Sequence, residues 1–180
     1  MKLKKISWLP AVVTMIIIFC FSAQPVIASS KSSQYIVTII LNIYEKIVNT
    51  PFLDKIRIQK MGIIEHIVRK GAHFSEYAVL AGMIMLHWAV WKKKGKEWMA
   101  LSIFLSALYA ITDEFHQIFV PGRAGRVTDV LIDTSGAITG MLIFCILSLL
   151  NQKRIIRKEK KFKVLQKNEE AKLLQKNEEV

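Results

Sequence analysis

Proton transfer by side chains needs a carboxylate and an imidazole within reach of each other, and this chain offers two such sets at helical spacing. His73 and Glu76 are three residues apart, and Asp113 and His116 repeat that interval. Three residues along a helix place both side chains on one face. Beside lipid, partly desolvated, such a set acts as acid or base. Alternatively His73, Glu76, Asp113 and His116 together ligate a divalent metal, since imidazole with carboxylate suits zinc or a similar ion. Arg69 and Arg123, with Gln24 and Gln117 beside them, are expected to bind an anionic headgroup or phosphate. Asp129 and Asp133 form a second acid pair. The chain has no HExxH, no nucleophile elbow and no phosphate loop.

The elements that must position these groups are apolar. The chain has 180 residues, 52% of them hydrophobic and 22% charged. Its mean hydropathy is +0.32, high for so much charge unless the charge is segregated between apolar runs. It is segregated: the net charge of +12 sits mainly at Lys2, Lys4 and Lys5, at Lys92 to Lys94 with Lys96, and after Asn151. These blocks flank apolar runs and lack an aromatic reading surface, which excludes nucleic acid and points to an anionic membrane face. Cys20 and Cys145 lie inside apolar runs without metal-ligand spacing and are expected to be buried thiols rather than a disulfide.

The expected fold is all-α and polytopic: four transmembrane helices over about 6–24, 71–91, 98–119 and 130–150. Residues 1–151 form the membrane domain, and 152–180 a basic cytoplasmic tail ending in two nine-residue repeats, KVLQKNEEA and KLLQKNEEV. The first run also reads as a signal peptide, because Val26-Ile27-Ala28 before Ser29 resembles a cleavage site. Residues 29–34, SSKSSQ, read as a flexible connector. The stretches 35–48 and 52–68 read as helices on the membrane surface or capping the bundle, with a re-entrant loop as the alternative for the first. Trp88, Trp91 and Trp98 bracket the 92–96 loop as an interfacial belt does.

With four spans, 17 of the 26 lysines and arginines fall on the side of the start, the 92–96 loop and the tail. The positive-inside bias makes that side cytoplasmic. The end of span one, the start of span two, the end of span three and the start of span four then share the outer side. Glu76, Asp113 and Asp133 each lie about one turn inside, roughly 6 Å deep at the helical rise. Ser102, Ser106, Tyr109 and Asp113 continue to His116 or Gln117 as one stripe, and Asp129, Asp133, Gly136 and Gly140 form another. Small residues at 136 and 140 admit a neighbouring helix, so the acids should face the bundle.

Each element also has a plainer reading. His73 and His116 serve as hydrogen-bonded interior histidines, Asp129 as a helix cap, Arg123 as a loop partner for Asp129 or Asp133, and Arg126 as a solvated arginine. Glu114 points away from Asp113, toward solvent or an arginine, and His87 is structural. Buried ion pairs holding four helices together account for the layer without any chemistry.

FCFSAQP (19–25), RKGAHFSEY (69–77), DEFHQIFVPGR (113–123) and DVLIDTSGAITG (129–140) together resemble the VanZ-like family of bacterial membrane proteins. Ser22, Gln24, Arg69, Lys70, His73, Glu76, Tyr77, Asp113, Glu114, His116, Gln117, Arg123, Asp129, Asp133, Gly136 and Gly140 carry the resemblance. It implies a multi-pass membrane protein related to one associated with low-level teicoplanin resistance. The expectation is a protein of the bacterial cytoplasmic membrane, both termini cytoplasmic, whose outward-facing site meets membrane lipids or a lipid-linked cell-wall precursor. The alternative is a non-catalytic interaction protein. Substrate, metal and oligomeric state stay open.

Overall fold

The computed structural model describes residues 2–49, 54–93 and 95–178, and helices are the only regular elements among them. In order these are α1 (Lys2–Lys5), α2 (Leu9–Ser22), α3 (Val26–Val48), α4 (Asp54–Val90), α5 (Lys96–Gln117) and α6 (Val127–Glu178). The interruptions fall where helix-breaking residues stand. Pro25 precedes α3, Gly95 at φ 136° precedes α5, and Pro121-Gly122 separates α5 from α6. Asn49, left-handed at φ 56°, closes α3 as a short polar residue can.

The chain divides into two compact units, Met1–Leu142 and Ile143–Val180. In the first, Ile18 of α2, Tyr77, Leu80 and Ile84 of α4 and Ala110 of α5 form the packed centre. Lipid tails are as apolar as these side chains, so such contacts act through van der Waals fit more than through removal from water. Close fit is visible in the small residues. Ser102, Ser106 and Ala110 are fully buried along α5, and each serine hydroxyl donates to the carbonyl four residues back, at 2.8 and 2.9 Å. A Cβ at Gly136 or Gly140 would run into the carbonyl oxygen of Phe74 or Ala78, so α6 lies backbone to backbone against α4. In the second unit α6 continues with exposed side chains through residues 151–166.

Several expectations are corrected. Residues 29–34 are not a flexible connector but the first part of α3. Ser33, Val37 and Leu41 are buried at helical spacing, and Ser33 satisfies its hydroxyl on the Ser29 carbonyl. Packing of that face outweighs the small helix penalty of serine. The stretch expected as a separate surface helix joins the 71–91 segment in one helix, α4; its residues 52 and 53 lie outside the described residues. No proline interrupts 54–90, and Gly62 and Gly71 face open space, so nothing breaks the ladder. Cys20 is exposed rather than buried.

Among the described residues two helices are long and apolar enough to cross a membrane: α5 over Lys96–Gln117 and α6 over Val127–Gln166. The pair α2 and α3 passes the same test together, bent by 102° between them, as a broken span or re-entrant loop does. The 71–90 part of α4 falls short because His73, Ser75, Glu76 and His87 dilute its apolar character.

Candidate functional site

The bend between α2 and α3 organises the site. The last carbonyls of a helix lack intrahelical partners. Here Arg123, from the turn after α5, fills that need: its Nε donates to the Gln24 carbonyl at 2.9 Å and its Nη2 to that of Phe21 at 3.2 Å. The Val26 amide donates to the Pro121 carbonyl at 3.3 Å. A guanidinium at a helix C-terminus also complements the dipole. Burial, with Arg69 nearby, lowers the Arg123 pKa, while Asp113, Glu114 and Glu76 oppose that shift. An arginine titrates so high that it stays cationic.

Beneath this bend the four helices bring their polar residues together. Asp113 is buried; its Oδ2 accepts from Ser22 Oγ at 2.7 Å and from Gln117 Nε2 at 3.2 Å. Gln117 reaches Ser22 Oγ as well, at 3.3 Å. Through these bonds Asp113 ties the end of α2 to α5. Asp113 Oδ1 has no hydrogen-bond partner among the described residues.

Asp133 is fully buried and among the described residues neither oxygen has a hydrogen-bond partner. The ring nitrogen Nδ1 of His73 lies 3.8 Å from its Oδ1, too far for a hydrogen bond but close for an ion pair. Asp133 stands one turn before Gly136, whose contact with Phe74 sets this face of α6 against α4 beside His73. Tyr77 is also fully buried with its hydroxyl unpartnered.

The other expected residues are placed as follows. Lys70 pairs with Asp129, and Thr128 donates to the same carboxylate at 3.2 Å. His116 stacks its ring on Phe19, with centroids 4.6 Å apart, and its Nε2 has no partner. Among the described residues no three of His, Cys, Asp and Glu are grouped closely enough to hold a metal ion. Glu114 does not point to solvent: it is buried, and its Oε2 accepts the Arg126 amide at 2.8 Å, tying α5 to the approach to α6. His87, at the far end of α4, bonds Ser7 Oγ at 2.9 Å.

Two cavities open onto this layer. One, of about 190 Å³, is lined by His66, Arg69, Lys70, His73, Arg123 and Arg126, with Asp129 as its one acid and Gln117 beside them. The other, of about 360 Å³, runs between α2, α3 and α4 past Phe21, Ile36, Val68 and Ala72, and reaches Ser22, Gln24 and Glu76. Arg69, His73 and Arg123 line both.

A family model described as VanZ/LLP1 matches residues 7–148. The chain belongs to the VanZ/LLP1 family. Membership and the apolar helices together make it a membrane protein. No curated protein and no solved structure matches the chain.

Five polar residues that line the two cavities of this VanZ/LLP1 chain were not among the expected site residues. His66 lies one turn before Arg69 and two before His73 on the same face of α4, a spacing that would have revealed it. Ser29, Ser32 and Ser33 line the larger cavity; their signal was the helical interval from Ser33 to Val37 and Leu41. Arg126, expected as solvated, has an exposed side chain yet contributes to the wall of the basic cavity.

Proposed function

We propose that this protein crosses the bacterial cytoplasmic membrane four times, with both termini in the cytoplasm and the first apolar segment retained as a span. Its polar layer then lies just beneath the outer surface, where it binds or modifies the headgroup of an envelope lipid or a lipid-linked cell-wall precursor. By doing so it lowers sensitivity to surface-acting antibiotics such as teicoplanin. The observation that carries this reading is Asp133, a fully buried carboxylate with no hydrogen bond, beside a histidine that lines both cavities. Buried polar groups are almost always satisfied, so a carboxylate that is not calls for an explanation, and a bound ligand or a proton-transfer role supplies one. In this reading His73 and Glu76 exchange the proton, Asp113 and Asp133 hold the local field, and Arg69 and Arg123 bind the anion.

The orientation is supported by charge. The side carrying 17 of 26 lysines and arginines also carries Trp88 and Trp98, which pack ring to ring with centroids 4.7 Å apart. Lys96→Cys and Ala124→Cys, each as a sole cysteine, test it: in intact cells a membrane-impermeant maleimide should label 124 and not 96.

A second reading is favoured by particular bonds. Arg123 on backbone carbonyls, Glu114 on the Arg126 amide and Lys70 on Asp129 all join helices, as purely structural polar groups do. Glu76→Gln and Asp113→Asn separate the two readings. In cells whose teicoplanin tolerance depends on the protein, the acting site predicts lost tolerance at unchanged protein level. A parallel fall in both would favour the structural role.

A further inference from the structure

The two cavities differ in kind, and they meet. Lys70 is neutralised by Asp129 in the smaller one, whereas among the described residues none of Arg69, Arg123 and Arg126 is ion-paired with a carboxylate. Like charges gathered on one wall repel, and an anion between them would relieve that repulsion. Planar guanidinium forks fit a phosphate in particular. Arg69 makes no hydrogen bond among the described residues, so its donors are available, while Arg123 keeps part of its fork on the Phe21 and Gln24 carbonyls.

The larger cavity begins at the same two arginines and continues as a mainly apolar groove past Ile36, Val68 and Ala72, with Ser29, Ser32 and Ser33 also in its lining. A free anion has no use for that groove, and an uncharged lipid has none for the arginines. Resting on the reading that the site takes a lipid headgroup, we infer that the ligand is a lipid bearing a phosphate. Its phosphate lies between Arg69 and Arg123, and its chain follows the groove walled by Ile36, Val68 and Ala72. Depth along α4 fits this order. At the helical rise His73 lies about 6 Å and Glu76 about 10 Å below Arg69, so the acids are set back from the phosphate.

The test uses full-length protein in a neutral detergent, titrated by calorimetry with dodecyl phosphate, dodecanol and inorganic phosphate. Dodecyl phosphate should bind at least about tenfold more tightly than either of the others, the scale of one charge-assisted hydrogen bond. Arg69→Gln should abolish that preference at unchanged melting temperature. Ala72→Phe, which fills the groove, should weaken dodecyl phosphate binding and leave inorganic phosphate unaffected. Equal binding of dodecyl phosphate and dodecanol would overturn phosphate recognition and leave the lipid-headgroup reading standing. Inorganic phosphate binding as tightly as dodecyl phosphate would overturn the role of the groove. Binding of none of the three overturns the inference, and the Glu76→Gln tolerance assay then decides separately whether the site acts on anything.

Discussion

The two ends of the helical bundle in residues 1–142 handle polar groups in opposite ways. At one end, around Ser7 and His87, most polar groups are matched and shallow, and the exception is the Trp88 indole nitrogen, buried without a hydrogen-bond partner among the described residues. Ser7 bonds His87 at 2.9 Å, Lys4 sits over the Trp91 ring at 5.5 Å and Lys93 over Trp98 at 5.2 Å. The lysines there are exposed, and the indoles stack on one another, as residues at a membrane–water boundary do. At the other end, around Ser22 and His73, the acids are deep and incompletely matched. Asp113 keeps one oxygen unpartnered and Asp133 both. The difference teaches that the tryptophan end is built to sit still, whereas the acid end keeps donors and acceptors in reserve at a cost in stability.

The sharpest way to break that comparison is to disturb what holds the acid end together. Gly140→Leu would drive a side chain into the Ala78 backbone and should cost roughly 3 kcal/mol or more, since backbone cannot yield as a side chain can. A sharp fall in folded protein is expected in a thermal melt. An unchanged melt would mean that α6 does not bear on α4 there. Next in size, Ser22→Ala removes one donor from the buried Asp113 and should cost about 1–2 kcal/mol. Ser7→Ala at the matched end should cost about 1 kcal/mol, seen as a smaller shift of the same melt, and leave teicoplanin tolerance unchanged. Lys93→Gln should give the smallest shift, because its ring contact is at the surface. A tolerance defect in either Ser7→Ala or Lys93→Gln would erase the functional distinction between the ends.

How much of this was legible in the sequence depends on the element. The α5 stripe of Ser102, Ser106, Asp113 and Gln117 could be read from its spacing, because one helix repeats its own period and all four are buried. The face of α6 was legible for the same reason, through Asp133, Gly136 and Gly140. The bend between α2 and α3 was not, because it depends on Arg123 crossing from a turn about a hundred residues away to fill two helix-end carbonyls. For Glu114 an arginine was the right partner of the two expected, but it is the Arg126 backbone amide and not its guanidinium that Glu114 bonds, which no side-chain pattern reveals. His116 shares a helix face with Asp113, yet its ring goes to Phe19; spacing fixes the face but not which neighbouring helix meets it.

The claim that the acid end is kept for action and not for cohesion is tested most directly at Asp133. Substituting Asn removes the charge and preserves the shape, and the carboxylate it replaces accepts no hydrogen bond. The melting temperature of purified Asp133→Asn should match or exceed that of the parent protein, while cells producing it lose teicoplanin tolerance. A lowered melting temperature with tolerance reduced only in proportion to the protein remaining would show that the buried charge serves the fold.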